Sequence, residues 1–407
     1  MKSIAILGRQ PGLGLAELES LLGPGPITVL DNGPGGGIAL LDLDAVAVPF
    51  GRLGGTIKLA KVLTELPTTD PKKLETYLHN TIPEHLQYVP EGKFTLGLSF
   101  YGFDEGRDRM SPVKINSIGL RLKKTIKKLG RPVRIVPNKE PELNSAQVIH
   151  NQLTGMNGWE LCFVRGADGR TFLAQTTEIQ DIEAYGARDQ ARPQRDAKVG
   201  MLPPKLAQIV VNLAADGMLP AGHVVLDPFC GTGVMLQEAA LMGFDVYGTD
   251  VDARMVEYTD GNLAWLRSRY ADRHFLSTLE TGDATLYPWN QHFDTVASEL
   301  YLGQPLTSLP PATKLDKIVA DCDQLLQDFL RNLQRQTVPT QRLCLAVPAW
   351  ALARPGTGTL FRHLPTLDHL KDLGYNRVSF VLARSEDLIY HRPGQTVARE
   401  LVVLQRK

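Results

Sequence analysis

Hydrophobic positions in this chain follow two regimes that meet near residue 200. Before it, short alternating runs are interleaved with amphipathic stretches. Ser3-Ile-Ala-Ile-Leu7 reads as a strand and Leu15 to Leu22 as a helix. Leu96-Gly-Leu-Ser-Phe-Tyr101 is again strand-like, and Ser111-Pro112 supplies a capping side chain and a first-turn proline for a helix that Gly130 and Pro132 end. In that helix Ile115, Ile118, Leu122, Ile126 and Leu129 share one side. A helix is expected around Ser145 to Leu153. Trp159 to Arg165 and Thr171 to Thr176 then alternate across Ala167-Asp-Gly-Arg170, a hairpin signature. After residue 200 strands and helices take turns. Helix 205–215 leads to strand 223–228, helix 234–242, strand 245–250, helix 253–269, and strands 275–281 and 293–299. Helix 313–334, strand 342–348 and helix 366–373 follow. Two terminal strand-like runs, Arg377 to Ala383 and Arg399 to Leu404, are too close in sequence for a helical crossover and should be antiparallel. Such alternation predicts a mainly parallel sheet covered by helices.

The expected organisation is an α/β protein in four parts: a small α+β domain, ferredoxin-like in size, over 1–64; a second α+β unit over 65–182; a proline-bearing extended connector over 183–204; and the alternating sheet over 205–407. With 407 residues, 43% of them hydrophobic and 22% charged, the chain can fill two or three cores. No apolar run approaches the roughly 18 residues of a membrane span, and the N-terminus lacks a leader pattern, so a soluble cytoplasmic protein is expected. Cys162, Cys230, Cys322 and Cys344 are scattered, which signals neither a disulfide framework nor a metal site.

Charge changes the picture only locally. Lys plus Arg and Asp plus Glu number 44 each, so any affinity for nucleic acid must come from arrangement. Between residues 114 and 139 there is no acid, and Arg121, Lys124, Lys128 and Arg131 are candidate phosphate-binding residues, with Lys114, Lys123, Lys127 and Arg134 around them. The plainer reading is the solvated face of an amphipathic helix. Gly8-Arg-Gln-Pro-Gly-Leu-Gly14 lacks the Lys-Ser/Thr of a P-loop, and Gly33 to Gly37 is read as a turn.

Candidate chemistry concentrates after residue 222. His223-Val-Val-Leu-Asp-Pro-Phe-Cys-Gly-Thr-Gly233 is an apolar run that ends in an acid, passes a Gly-x-Gly turn and opens a helix. Asp250 ends the next strand and Asp283 the one after, and ligands in such sheets sit beyond the carboxyl ends of the strands. Asp252 is expected to cap the following helix. Asp227-Pro-Phe-Cys-Gly-Thr-Gly233 resembles the first motif of S-adenosylmethionine (SAM)-dependent amino-methyltransferases that act on nucleic-acid bases. The resemblance implies a class I, Rossmann-like methyltransferase sheet with SAM as cofactor. Asp227, Phe229, Gly231 and Gly233 would lie at its methionine part, Asp250 at the ribose, and Asp283 and Ala284 at the adenine. Residues 65–182 resemble a THUMP domain. Arg188-Asp189, Arg192-Pro193 and Gly200 to Ala207 resemble the segment that, in THUMP-bearing tRNA guanosine-N2 methyltransferases, closes one side of the SAM pocket, which adds Arg188 and Pro203 as cofactor-binding candidates.

The fourth strand departs from that family's pattern. Where the family has Asp or Asn, two prolines and an aromatic, this chain has Ser298-Glu-Leu-Tyr301. Ser298, Glu299 and Tyr301 are the catalytic candidates: acceptors for the hydrogens of an exocyclic amine and a ring to stack on a flipped base. A ring-carbon methylase would need a cysteine nucleophile here, and none is near. The resemblance implies methylation of an exocyclic amine, guanine N2 of tRNA, with tRNA as partner and room for a small activating subunit. Two alternatives stand beside it: a catalytically impaired SAM- and RNA-binding protein, and a DNA amino-methyltransferase.

Overall fold

The computed structural model describes residues 1–33, 36–196, 202–217, 219–220, 222–352 and 359–407. Pro34 and Gly35 of the glycine-rich turn, and Gly200 and Met201 of the connector, lie outside them. The chain forms two compact units: Met1–Pro11, Pro26–Gly51 and Thr56–Ile182 make the first, and Gly12–Gly25, Arg52–Gly55 and Glu183–Lys407 the second.

The first unit is built on one eight-stranded mixed sheet. Its strands are β1 (Ser3–Leu7), β2 (Ile27–Asp31), β3 (Gly37–Leu41), β4 (Thr56–Leu66), β5 (Phe94–Tyr101), β6 (Val133–Ile135), β7 (Gly158–Arg165) and β8 (Thr171–Ile179), in the order β2-β3-β1-β4-β8-β7-β5-β6. The expected division at residue 64 is not a division in this sheet. Strand β4 runs through it and pairs with β1 on one side and β8 on the other. A buried polar knot joins the two halves. Lys58 Nζ of β4 lies 2.6 Å from Glu160 Oε1 of β7 and 2.6 Å from the Leu143 carbonyl. Ser99 and Thr176 donate to the same carboxylate. Separating the halves would strand a charge in each core, which is far costlier than the pair itself is stabilising.

Helices α2 (Pro71–Leu86) and α3 (Pro112–Lys128) cover one face of this sheet through Leu74, Leu78 and Ile82, and through Ile115, Ile118, Leu122 and Ile126. Ser111 caps α3 as expected, accepting from the Lys114 N–H. The helix predicted around 145–153 is shorter, α4 (Ser145–His150), with Asn144 and Gln147 forming a capping box.

In the second unit α1 (Pro11–Leu22) supplies two buried acids, from a stretch expected to belong with the opening strand. Glu17 accepts from the Gly54 and Gly55 N–H groups at 2.9 and 2.8 Å and from Asn212 at 2.7 Å. Glu19 accepts from the Val381 and Leu382 N–H groups at 2.7 and 2.8 Å. The strand expected over 377–383 is only Tyr375–Arg377 (β15), because Val381 and Leu382 give their N–H groups to Glu19 and not to a neighbouring strand. The connector is not extended throughout. Ile182–Gln190 is helix α5, a stretch without proline. Residues 366–373, expected to be helical, form two short 3-10 turns.

The second sheet follows the expected alternation. Helix α6 (Pro204–Ala215) precedes β9 (Val224–Asp227), α7 (Val234–Leu241), β10 (Asp245–Asp250), α8 (Ala253–Arg269), β11 (Ser277–Thr281) and β12 (Thr295–Glu299). Helix α9 (Ala312–Gln334), β13 (Arg342–Leu352), β14 (Leu360–Arg362), β15, β16 (Ile389–Tyr390) and β17 (Val397–Arg406) complete it. The order is β11-β10-β9-β12-β13-β17-β15, parallel from β11 to β13 and antiparallel at β17 and β15. No helix among the described residues is long and apolar enough to cross a membrane.

Candidate functional site

The carboxyl ends of β9, β10, β11 and β12 open onto a cavity of about 560 Å³, inside the range of small-ligand pockets, roughly 300 to 1,000 Å³. Its floor is the β9–α7 turn. Gly231 and Gly233 sit at φ +51° and +81°, a region side-chain-bearing residues avoid, and a Cβ on Gly233 would come within 2.8 Å of the Thr259 side chain. The turn is held from the next strand, since the Gly231 N–H donates to Asp250 Oδ2 at 2.9 Å. Asp250 Oδ1 accepts from the Asp252 N–H at 3.0 Å, and Asp252 caps α8 through the Arg254 N–H. Asp283 is fixed by its own turn, accepting from the Thr285 N–H and hydroxyl at 2.9 and 2.7 Å.

Among the charged residues of the walls, acids dominate. Among the described residues, Asp196, Asp227, Asp250, Asp252, Asp283 and Glu299 line the cavity, against one guanidinium, Arg254, which already lies 3.3 Å from Asp252 and 3.6 Å from Asp196. Burial drives the Asp227 carboxyl up to about 7, against hydrogen bonds from Ser298 and the Phe229 N–H that pull it down; nearby Asp250 and Glu299 add to the rise. Burial also raises Asp250. A site whose carboxylates resist ionising together is stabilised by a cationic ligand. The Cys230 thiol is buried and pushed far up by burial, then by Asp227 and Asp250, so it is no nucleophile.

The family model described as "Methyltransferase domain" matches residues 219–364 of this chain. The chain is 51% identical over 162 residues to the tRNA (guanine(10)-N2)-dimethyltransferase of Methanothermobacter thermautotrophicus, covering 39% of this chain and 43% of that protein. It is 33% identical over 152 residues to the protein of the same name from Pyrococcus abyssi, covering 36% and 39%. It thus spans less than half the length of these curated relatives. Among solved structures, TrmN from Thermus thermophilus aligns over 100% of both chains at a TM-score of 0.53 and 19% identity, a likeness of fold.

Within the matched residues, Asp227, Phe229, Gly231, Asp250, Asp283, Ala284, Glu299 and Tyr301 all line the cavity. Gly233 stands behind it as the left-handed residue that starts α7. Ser298 does not line it: the side chain is fully buried and its Oγ donates to Asp227 Oδ1 at 2.5 Å. It holds the first motif's acid and does not present an acceptor. Glu299, one residue on, reaches the cavity wall, and its carboxylate is paired with Arg399 of β17. Tyr301 is half exposed there.

Arg188 and Pro203 are placed elsewhere. Arg188 is ion-paired with Glu238 of α7 at 2.7 Å, and Pro203 begins α6. The preceding segment contributes Asp196 and Leu202 to the cavity instead. An acid between mixed charges gave no signal of that. In the first unit, Lys124 and Lys128 are exposed, but Arg121 donates through Nε and Nη2 to Glu75, and Arg131 donates to the Val89 carbonyl at 3.0 Å. Arg399, which pairs with Glu299, is not among the residues expected from the sequence. The available signal was a lone arginine followed by an acid inside the apolar run Val397 to Leu404, where a buried charge needs a partner.

Proposed function

We propose that this protein is a SAM-dependent methyltransferase that methylates guanine N2 in tRNA. The observation that carries the reading is the cavity itself: Asp227, Asp250, Asp283 and Glu299 gathered beyond the carboxyl ends of four neighbouring parallel strands, with a glycine turn between the first two and Tyr301 at the rim. The relatives named tRNA (guanine(10)-N2)-dimethyltransferase support the choice of acceptor.

SAM suits the site because it carries a sulfonium and an ammonium group, and the sulfonium supplies an activated methyl group when bound. The Gly231–Gly233 turn and the start of α7 accept the methionine carboxylate, while Asp227 takes the ammonium. Asp250 receives the ribose hydroxyls, and Asp283 and the Ala284 backbone meet the adenine. On the acceptor side Tyr301 stacks on the flipped guanine and Glu299 accepts hydrogens of its exocyclic amine. That amine has its lone pair drawn into the ring, so alignment with the methyl group and dispersal of the positive charge that grows on nitrogen are what the protein contributes. Glu299, or solvent, would take up the proton that the amine gives away on methylation. Residues 65–182, read as a THUMP domain, bind the tRNA through Lys124 and Lys128, in a soluble cytoplasmic enzyme.

A second reading has one observation in its favour. Ser298, at the family's acid position, is spent on Asp227, which fits a SAM- and RNA-binding protein without turnover. Transfer of label from methyl-labelled SAM separates the two. Unmodified tRNA should be labelled and duplex DNA not; label on DNA alone, or on neither despite SAM binding, rejects the proposal.

A further inference from the structure

Glu299 is the last residue of β12, and its parallel partner in β13 is Ala346. On the other side of β13, Ala346 faces Leu401 of β17, and Pro348 faces Arg399. Because residues two apart share a face, Glu299, Ala346 and Arg399 lie on the same side of the sheet, one strand intervening. A side chain from β17 can reach β12 only over something small. Ala346 provides that gap, and Arg399 spans it to place its Nε on Glu299 Oε1. Both side chains are largely withdrawn from solvent, Arg399 to 8% and Glu299 to 17% exposure. Arg399 does not itself line the cavity, whereas Glu299 does.

We propose that Arg399 is the positioning residue of the acceptor side: its guanidinium binds Oε1 of Glu299 and turns Oε2 to accept from the amine in the cavity. The proposal rests on the methyl-transfer reading for its meaning but not for its measurement. A neutral carboxyl would present a hydroxyl to an amine that also has hydrogens to give, so ionisation is a condition of the geometry. Burial pushes the Glu299 carboxyl up, and Arg399 pulls it back through charge and hydrogen bond. The other charged neighbour on this side is Asp227, whose own rise Glu299 adds to. Glu400, next to Arg399, alternates to the opposite face, where His363 Nδ1 at 2.5 Å and Arg377 Nη2 at 2.8 Å hold it. Arg399 is therefore the cation assigned to Glu299.

The test uses the full chain with Arg399→Gln and Arg399→Lys. Carbon-13 NMR of labelled glutamate carboxyls, with Glu299 assigned through Glu299→Gln, follows its titration without any turnover. In Arg399→Gln the midpoint should rise by about 1 to 3 pH units, SAM affinity by calorimetry should hold within a few-fold, and the acid limb of the turnover profile with unmodified tRNA should move up with the midpoint. Arg399→Lys keeps the charge and should keep the midpoint within about 1 unit of wild type. An unmoved midpoint in Arg399→Gln, or a turnover loss equal at every pH and equal in the lysine variant, overturns the proposal. Should Arg399→Gln not fold, Arg399→Lys decides: a midpoint as high as that of an unpaired buried carboxyl, more than about 2 units up, overturns it. If the wild type transfers no methyl group while the midpoint still rises in Arg399→Gln, the functional reading fails and the hold of Arg399 on Glu299 stands.

Discussion

The two walls of the cavity are made differently. On the wall of β9, β10 and β11, backbone does the holding. Gly231 donates to Asp250 at the end of the neighbouring strand, while Asp252 donates to its other oxygen and Thr285 anchors Asp283, these last two within a short turn. On the wall of β12 a side chain is held by another side chain from 100 residues away, Glu299 by Arg399, while Ser298 turns inward to Asp227. Backbone cradles tolerate neighbours of any kind, provided the glycines stay. A side-chain clamp depends on one residue at each end, so the acceptor wall should be the more fragile in catalysis and the donor wall the more fragile in binding.

Substitutions on either wall should separate binding from turnover. Glu299→Gln should lower turnover by about 100- to 1,000-fold, the scale of removing one charge-stabilising group at a reacting centre, with SAM affinity unchanged by calorimetry. Asp250→Ala should do the reverse, weakening SAM by about 100-fold through the loss of two charge-assisted hydrogen bonds. If either variant moved both quantities together, the walls would not be separable.

The pH dependence sharpens the same contrast. Asp227 has its folded pKa raised to about 7 from an ordinary 3.8 by burial. Between about 4 and 7 the folded chain therefore holds a proton that the unfolded chain has lost, and this group's contribution to stability falls as pH rises through that window. A cationic ligand binds the ionised form. SAM affinity should therefore drop about tenfold on going from pH 8 to pH 6, and heat protection by SAM should grow with pH over the same range. A flat affinity would place the ammonium away from Asp227.

The smallest effects belong to the first unit. Reversing Lys124 and Lys128 to glutamate should weaken tRNA binding and reduce the salt dependence, log affinity against log salt, by about 1 per lost phosphate contact. Arg121→Ala, which breaks a pairing with Glu75, should cost less than about 1 kcal/mol of stability and leave that slope unchanged.

What was legible in the sequence divides along the same line as the two walls. Asp227, Gly231, Gly233, Asp250 and Asp283 stand at the ends of strands that alternation alone marks out, and their partners lie within short turns or on the neighbouring strand. The acceptor wall needed information that spacing does not carry. That Ser298 would face Asp227 and Glu299 would face Arg399 depends on which strands become neighbours and on Ala346 being small enough to reach over. The same blindness hid Arg121 against Glu75, Arg188 against Glu238, and the two acids of α1, whose partners Asn212, Val381 and Leu382 lie far along the chain. Apolar periodicity reports which face is buried; it is silent on which charge meets which.

The most direct measurement is nucleoside mass spectrometry of tRNA lacking the modification, after incubation with the full chain and SAM. The proposed function predicts N2-methylated guanosine appearing with time and disappearing in Glu299→Gln. A digest with no methylated guanosine, from a preparation that binds SAM, would contradict it.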